Sequence, residues 1–586
     1  MVVLAASQPR RTYLLWTRFS YPTEHGPQDA YSVPSWAANQ FNSAYSIIVG
    51  LLMVEVWTII IALALFLVFK WQRRQNKGSV LHPVVPILWN NRGAIDGSFI
   101  EISKYIKREN ARPWVFFILF LIMTAWVAQT AVAIIIPPMI ILSNAAPVDP
   151  KTVYTPYSDP LDFSKKEAAF ALQVPAALRA AGNSAFPSDI LDKRVMVNTE
   201  KLGSSSNGEQ IQRTNYSYNV TGVDFGLQKY PDLKLYVTGS CITDYEQLNH
   251  TSYETVNEKV VAVDTYKFSD GGIHGNVRVS LFNGRPPIAF FLAGVFTKGT
   301  LDQSNITWSA IISSINRTSF SPSTDPWYRT ERFQDSDVGA AYMVVPGRPI
   351  LSCWEDNTWS YKGFNSTASG LSSDHLPGLE LSKGVQKIFG FINGSMVGAM
   401  GQQLGSFALQ SGLKSLGFYR PIFDAGASSI HNDLNRLVRI AFVATCSLLS
   451  DSTLFPIDAS AKTDNIITAQ DDPSDFVVWS SDVTALSVKL LIAFPSILVG
   501  SWLCAILLLF FTPVRLVKGL DSSSMFAFIQ KQHPTFGPTP HKDGRVNWQE
   551  HTGDFDTEQA IETKHAEKKD GGSTSICCEE IATPTE

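Results

Sequence analysis

The chain has 586 residues, 45% of them hydrophobic and only 17% charged, with a formal net charge of −4. That length exceeds one ordinary domain, and so few charges argue against a chain soluble throughout. The near-neutral balance also removes the electrostatic footprint that a nucleic-acid partner requires.

Residues 1–45 read as an external N-terminal tail, because the opening MVVLAAS has neither the basic start nor the apolar core of a cleavable signal. Three apolar runs follow at 47–69, 114–136 and 490–511, interrupted by at most one ionisable group each. At a rise of about 1.5 Å per residue, each is long enough to cross a hydrocarbon core of roughly 30 Å as a helix. We therefore expect transmembrane helices at 46–69, 113–136 and 490–511. The apolar stretch 440–449 is too short to span and reads as a buried helix.

Orientation follows from basic residues at the span ends. The loop 70–112 holds nine Lys and Arg against three carboxylates, whereas the first 45 residues hold three Lys and Arg. The positive-inside rule makes this basic loop cytoplasmic. It leaves the N-terminal tail and residues 143–489 outside, and it returns residues 512–586 to the cytosol. Seven Asn-X-Ser/Thr acceptors, at Asn215, Asn219, Asn249, Asn305, Asn316, Asn365 and Asn393, all fall in the segment placed outside. The expected setting is the plasma membrane or another secretory-pathway membrane, with lipid as one partner and an extracellular ligand or protein as another.

Within 143–489, residues 190–365 carry short β-branched and aromatic runs broken by Gly, Pro, Asn and Asp, and 380–450 returns to a helical period. Residues 451–486 read as an acidic spacer, and 512–586 as a disordered tail poor in large apolar side chains. The fold class expected is a membrane protein with three transmembrane α-helices and a large α+β, β-rich extracytoplasmic domain.

Residues 352–364 read SCWEDNTWSYKGF. Turn formers in EDNT predict a β-hairpin in which Trp354 faces Trp359 as a cross-strand aromatic pair. The competing reading makes Trp354, Trp359 and Tyr361 a platform for a sugar ring, with Glu355 or Asp356 binding its hydroxyls. Cys241 and Cys353 each lie in a predicted strand of the oxidising compartment and are expected to bridge. Glu55 and Gln129, at matching depth in the first two spans, are expected to form an intramembrane hydrogen bond. There is no nucleophile elbow, zinc helix, phosphate loop or Cys-X-X-Cys pair, so no catalytic residue, metal or cofactor is assigned. Asp335-Ser-Asp337 has the form of a glycosyltransferase acidic triplet, but it follows ERFQ where such enzymes present a buried strand, and it reads as a solvated loop.

In this layout and in SCWEDNTWSY the chain resembles a family of uncharacterised integral membrane proteins of filamentous ascomycete fungi. These share two close N-terminal spans, a basic loop, a glycosylated ectodomain often containing a Cys-Trp…Trp-Ser-Tyr segment, and a last span before a polar tail. The resemblance transfers no functional residue. It fits a non-enzymatic membrane glycoprotein whose ectodomain contacts a ligand, the wall or a protein. A lumenal glycan-acting enzyme is the alternative, and a transporter subunit stands behind both.

Overall fold

The computed structural model describes residues 7–74, 84–108, 112–156, 163–185, 189–206, 208–256, 258–268, 275–280, 288–293, 306–313, 317–333, 341–367, 369–413, 415–416, 422–454, 467–469, 475–511, 536–540 and 546–550. In chain order, strands β1 (Arg18–Tyr21) and β2 (Gln28–Pro34) lead into helix α1 (Ser35–Arg74). Helices α2 (Val84–Asn90), α3 (Ile95–Arg108) and α4 (Pro113–Ile135) follow, then β3 (Ile141–Ser143), β4 (Ala145–Pro147) and α5 (Phe163–Ser184). The β-rich part comprises β5 (Val195–Ser204), β6 (Gln210–Thr221), β7 (Lys234–Asp244), β8 (Leu248–Val256), β9 (Lys259–Phe268) and β10 (Gly275–Ser280). It continues with β11 (Ile288–Ala293), β12 (Ile306–Ser313), β13 (Ile350–Tyr361) and β14 (Phe364–Thr367). Helices α6 (Lys383–Phe389), α7 (Met396–Leu404) and α8 (Ile430–Asp451), strands β15 (Val477–Trp479) and β16 (Val483–Ser487), and helix α9 (Val488–Phe511) complete the main body.

Three helical stretches are long and apolar enough to cross a membrane, Ser35–Val68, Pro113–Ile140 and Val488–Leu508. The chain divides into two compact units: Met1–Trp57 with Phe120–Ala505, and Thr58–Leu119 with Ile506–Glu586. In the second unit the loop expected between the first two spans contains α2 and the amphipathic α3, whose Ile95, Ser98 and Ile102 are buried. The Thr58 hydroxyl donates to the Arg92 carbonyl at 3.0 Å, and the Arg92 guanidinium lies 4.6 Å from the Trp89 ring. In the segment expected as a disordered tail, Phe536–Pro540 pairs antiparallel with Val546–Glu550. Residues 512–535, 541–545 and 551–586, including Cys577 and Cys578, lie outside the described residues.

The first unit corrects two expectations. Residues 7–34 are folded into the body rather than forming a tail, and 475–486 is not only a spacer. Strands β1, β2, β16 and β3 form one sheet in that order, so the segment before α1 and the segment before α9 are hydrogen-bonded together. Ala30 stands opposite Ser487 and Pro34 opposite Val483. Gln8 is buried, donating to the Ser450 carbonyl at 3.2 Å and accepting from the Thr453 hydroxyl at 3.0 Å. β15 pairs with β4, and Phe476, Val477, Val478, Val483 and Ala485 are fully buried. The physical reason is apolar burial: every residue of VTALS is buried, as are Ala30, Ser32, Val33 and Pro34 of QDAYSVP. The two faces of the sheet each have an interior to fill, so neither segment stays in solvent.

This small sheet meets all three long apolar helices. β2 ends at Pro34 and α1 starts at Ser35; β16 ends at Ser487 and α9 starts at Val488; one 3-10 turn separates α4 from β3. Val33, Ala37, Ala38, Tyr45, Ile140 and Leu486 form a shared core there, with Leu490, Leu491 and Phe494 packed on it.

The larger sheet runs β11-β12-β13-β7-β6-β5, with β14 added to β13. Its neighbours pair antiparallel, which allows one packed face and one open face. Helices α5, α7 and α8 contribute to the core on the packed face, where Phe442 of α8 meets Tyr218 edge-on at 5.9 Å. β8, β9 and β10 form a separate three-stranded sheet.

Candidate functional site

The expected hairpin at EDNT does not form. Ile350–Tyr361 is one unbroken strand, paired with β7 from Ile350 opposite Asp244 to Ser360 opposite Lys234. The turn falls further on, at Lys362 (φ 47°) and Gly363 (φ 88°), before β14 pairs back. Two successive left-handed residues are what a two-residue hairpin with native strand twist requires. EDNT lacks a glycine for this and instead gains a full ladder with β7.

One continuous strand reverses the aromatic geometry. Successive side chains alternate between faces, so residues five apart point in opposite directions. Trp359 is fully buried, with ring centroids 5.2 Å from Phe389 and 5.9 Å from Phe225, whereas Trp354 is 41% exposed. Tyr361 is buried edge-on against Tyr230, and Glu355 is fully buried. Trp354, Trp359, Tyr361 and Glu355 therefore do not form one sugar platform; of the four, only Trp354 reaches the open face.

Cys241 and Cys353 are directly opposed on β7 and β13 and joined by a disulfide, with Cα atoms 4.0 Å apart. Closing a loop of 112 residues this way contributes about 4–5 kcal/mol in the chain-entropy account. Cys446 is buried in α8 as a free thiol.

Beside the bridge lies a buried polar row that sequence patterning did not reveal. Tyr216, Gly239 and Glu355 stand opposite one another across β6, β7 and β13. A Cβ on Gly239 would lie 2.0 Å from the Tyr216 ring, so only glycine lets that ring lie across β7 toward Glu355. The Tyr216 hydroxyl donates to Glu355 Oε2 at 2.8 Å, the Ser395 hydroxyl donates to the same oxygen at 2.8 Å, and Trp308 Nε1 donates to Tyr216 at 3.1 Å. Burial pushes the Glu355 carboxyl up to about 7, against the pull of hydrogen bonds from Tyr216, Ser395 and Asn357. Glu355 Oε1 and Asn357 Oδ1 have no hydrogen-bond partner among the described atoms, although Asn357 lies within bonding reach of the carboxyl. Burial favours the neutral state of this carboxyl.

A second buried carboxylate sits at the start of α8. Asp433 accepts from the Tyr328 hydroxyl, from the Ser411 amide at 2.8 Å and from the Ser411 hydroxyl at 3.0 Å. Burial raises it to about 7. Asp325, which accepts from the amides of Ile430 and Trp327 at 3.0 Å each, is raised by burial to about 6.

On the opposite, open face of the sheet is a cleft of about 530 Å³, bordered by Met196, Asn198, Asn215, Thr238, Trp354 and Asp356. Its volume lies within the ordinary range for small-ligand pockets. Among the described residues, Asp356 is the only carboxylate in its lining. Among the described residues, no three His, Cys, Asp or Glu side chains converge as a metal site.

Of the sequons, Asn215, Asn249 and Asn365 are exposed and Asn219 is half-buried. Asn305, Asn316 and the Asp335-Ser-Asp337 triplet lie outside the described residues, as does the Asn393 side chain. The structure records no hydrogen bond between Glu55 and Gln129, both half-buried. The link between α1 and α4 is instead Ser46, whose hydroxyl donates to the Ala133 carbonyl at 3.0 Å. Counting along antiparallel helices from that contact sets Gln129 opposite Gly50, five residues or about 7.5 Å short of Glu55. The expected depths assumed that α1 began at the apolar run, whereas it begins at Ser35. The link from α1 to α9 is the Tyr45 hydroxyl, donating to the Leu491 carbonyl at 2.6 Å.

Two predictions follow from this geometry. Trp359→Ala removes a fully buried ring and should cost roughly 3–5 kcal/mol, whereas Trp354→Ala, on the open face, should stay within about 0.5 kcal/mol. Thermal unfolding of both variants checks this; equal losses would place both rings in the core. The second concerns pH. Glu355 ionises at about 7 when folded against an ordinary 4.5, and Asp433 at about 7 against 3.8. A raised folded value means that the native state holds the proton more tightly, so this stability is complete below the unfolded value and is lost as pH rises through about 7. The unfolding midpoint should fall between pH 5 and pH 8, and Glu355→Gln should flatten that fall while leaving the pH 5 midpoint nearly unchanged. An unaltered slope in Glu355→Gln would remove Glu355 from the account.

Residues 174–478 match the family described as Domain of unknown function (DUF8406), a region that contains the large sheet, its helices and the open-face cleft. No curated protein and no solved structure matches the chain. The match covers more than half of the 586 residues, and the chain belongs to the DUF8406 family.

Proposed function

We propose that this chain is a multi-pass membrane glycoprotein of the plasma membrane or another secretory-pathway membrane. In this reading residues 143–489 form a body outside the cytosol that contacts a ligand, the wall or a protein partner without catalysing a reaction. The carrying observation is the small sheet in which β1, β2, β16 and β3 join the starts of α1 and α9 to the end of α4. A tethered enzyme needs only a flexible stalk. Here strand pairing and a shared apolar core fix the body to all three helices, so a load or contact on the body is passed to them directly.

Three further observations support the reading. The basic loop 70–112 and the confinement of all seven sequons to one segment agree on sidedness. Glycoside cleavage uses two carboxyl groups flanking the scissile bond at a separation of about 5–9.5 Å, and the cleft lining presents Asp356 alone. Glu355, adjacent in sequence, is sealed in the core as part of the packing.

Protease treatment of sealed, outside-out vesicles tests this reading. It should digest within 143–489, spare 70–112 and the segment after 511, and be accompanied by stepwise mass loss on endoglycosidase treatment. Protection of the large segment would overturn the sidedness and the contact role together.

A further inference from the structure

The open face of the large sheet has an unusual arrangement of sequons and aromatic rings. Asn215, Ser240 and Trp354 are directly opposed across β6, β7 and β13. Asn215 and Trp354 both border the cleft, with Asn215 exposed and Trp354 41% exposed. The Ser240 hydroxyl donates to Asn215 Oδ1 at 2.7 Å, which draws the amide toward β7, the strand between it and Trp354. The same device recurs four residues along, where Asn219 stands directly opposite Tyr236, also 41% exposed. An antiparallel sheet with one solvated face normally carries polar side chains on that face, and these two rings are exceptions that each share a row with a sequon asparagine.

We propose that the cleft is the seat of the chain's own N-linked glycan at Asn215, whose first N-acetylglucosamine packs on Trp354. Two strand spacings separate the backbones of Asn215 and Trp354, on the order of 10 Å. An asparagine side chain plus one pyranose ring covers that span. The ring's C–H face lies on the indole. Its hydroxyl groups are offered Asp356, an acceptor-only carboxylate two residues along β13 from Trp354. The Ser240 hydrogen bond uses Asn215 Oδ1 and leaves Nδ2, the atom that carries the sugar, unengaged. The glycan thereby covers the indole face of Trp354 that would otherwise face water.

This inference rests on the outside placement and glycosylation proposed above, so the test separates the two. The full chain is produced in cells that N-glycosylate, held in lipid nanodiscs and analysed by glycopeptide mass spectrometry. Hydroxyl-radical oxidation of Trp354 is then read in three forms of the folded protein: native, trimmed to one N-acetylglucosamine, and fully deglycosylated by an amidase. Low oxidation in the first two forms and a several-fold rise in the third is the expected result. Asn215→Gln should produce the same rise at Trp354, while Asn365→Gln should not. Equal oxidation of Trp354 in all three forms overturns the inference alone. So does an unmodified Asn215 in a chain glycosylated at its other sequons. Absence of glycan from all seven sequons overturns the inference and the sidedness beneath it.

Discussion

The pairing of β2 with β16 is the constraint on which the rest of the architecture depends. These strands come from opposite ends of the sequence, yet Ala30 to Pro34 is laddered residue by residue against Val483 to Ser487. Each strand enters a long apolar helix at its next residue, and β3 brings in the third on the other edge of β16. Apolar cores form on both faces of this sheet: Phe19, Tyr21, Ala30, Ala145, Val477 and Ala485 on one, Val33, Ala37, Tyr45 and Leu486 on the other. Within the first unit, this sheet hydrogen-bonds together the strands that lead into or out of all three helices.

The large sheet divides its work between its two faces. The packed face carries the Cys241–Cys353 bridge, Trp359 and the neutralisable Glu355 in a dry interior. Burying a carboxyl there is tolerable because Tyr216 and Ser395 donate to it and because it can take up a proton. Both this carboxyl and Asp433 favour mildly acidic surroundings, which is a thermodynamic property of the native state rather than of any reaction. The open face carries Trp354, Tyr236 and the sequon asparagines Asn215 and Asn219.

Much of this was legible in the sequence. The three apolar runs became helices because their length and composition leave no other solution. Cys241 and Cys353 each lay in a β-branched run, and the sheet set them side by side. Strand β2 was missed because its partner β16 lies more than four hundred residues away, and a seven-residue QDAYSVP carries no local signal of a distant ladder. The strand through EDNT was misread because turn propensity is local, while the pairing with β7 that overrides it is not. Glu355 reads as a surface charge until the position of Gly239 and Tyr216 across the sheet is known. Parity along one strand, counted from Cys353, is the signal that would have found it: residues 353, 355, 357, 359 and 361 share the buried face.

Hydrogen–deuterium exchange of the full chain in lipid nanodiscs tests the central claim most directly. The account predicts that amides of 28–34 and 483–487 are protected to a degree comparable with β7 and β13, since all four are laddered in one cooperative body. Exchange of those two segments at the rate of an unstructured chain, while β7 and β13 remain protected, would contradict it and reduce the attachment of the domain to flexible tethers.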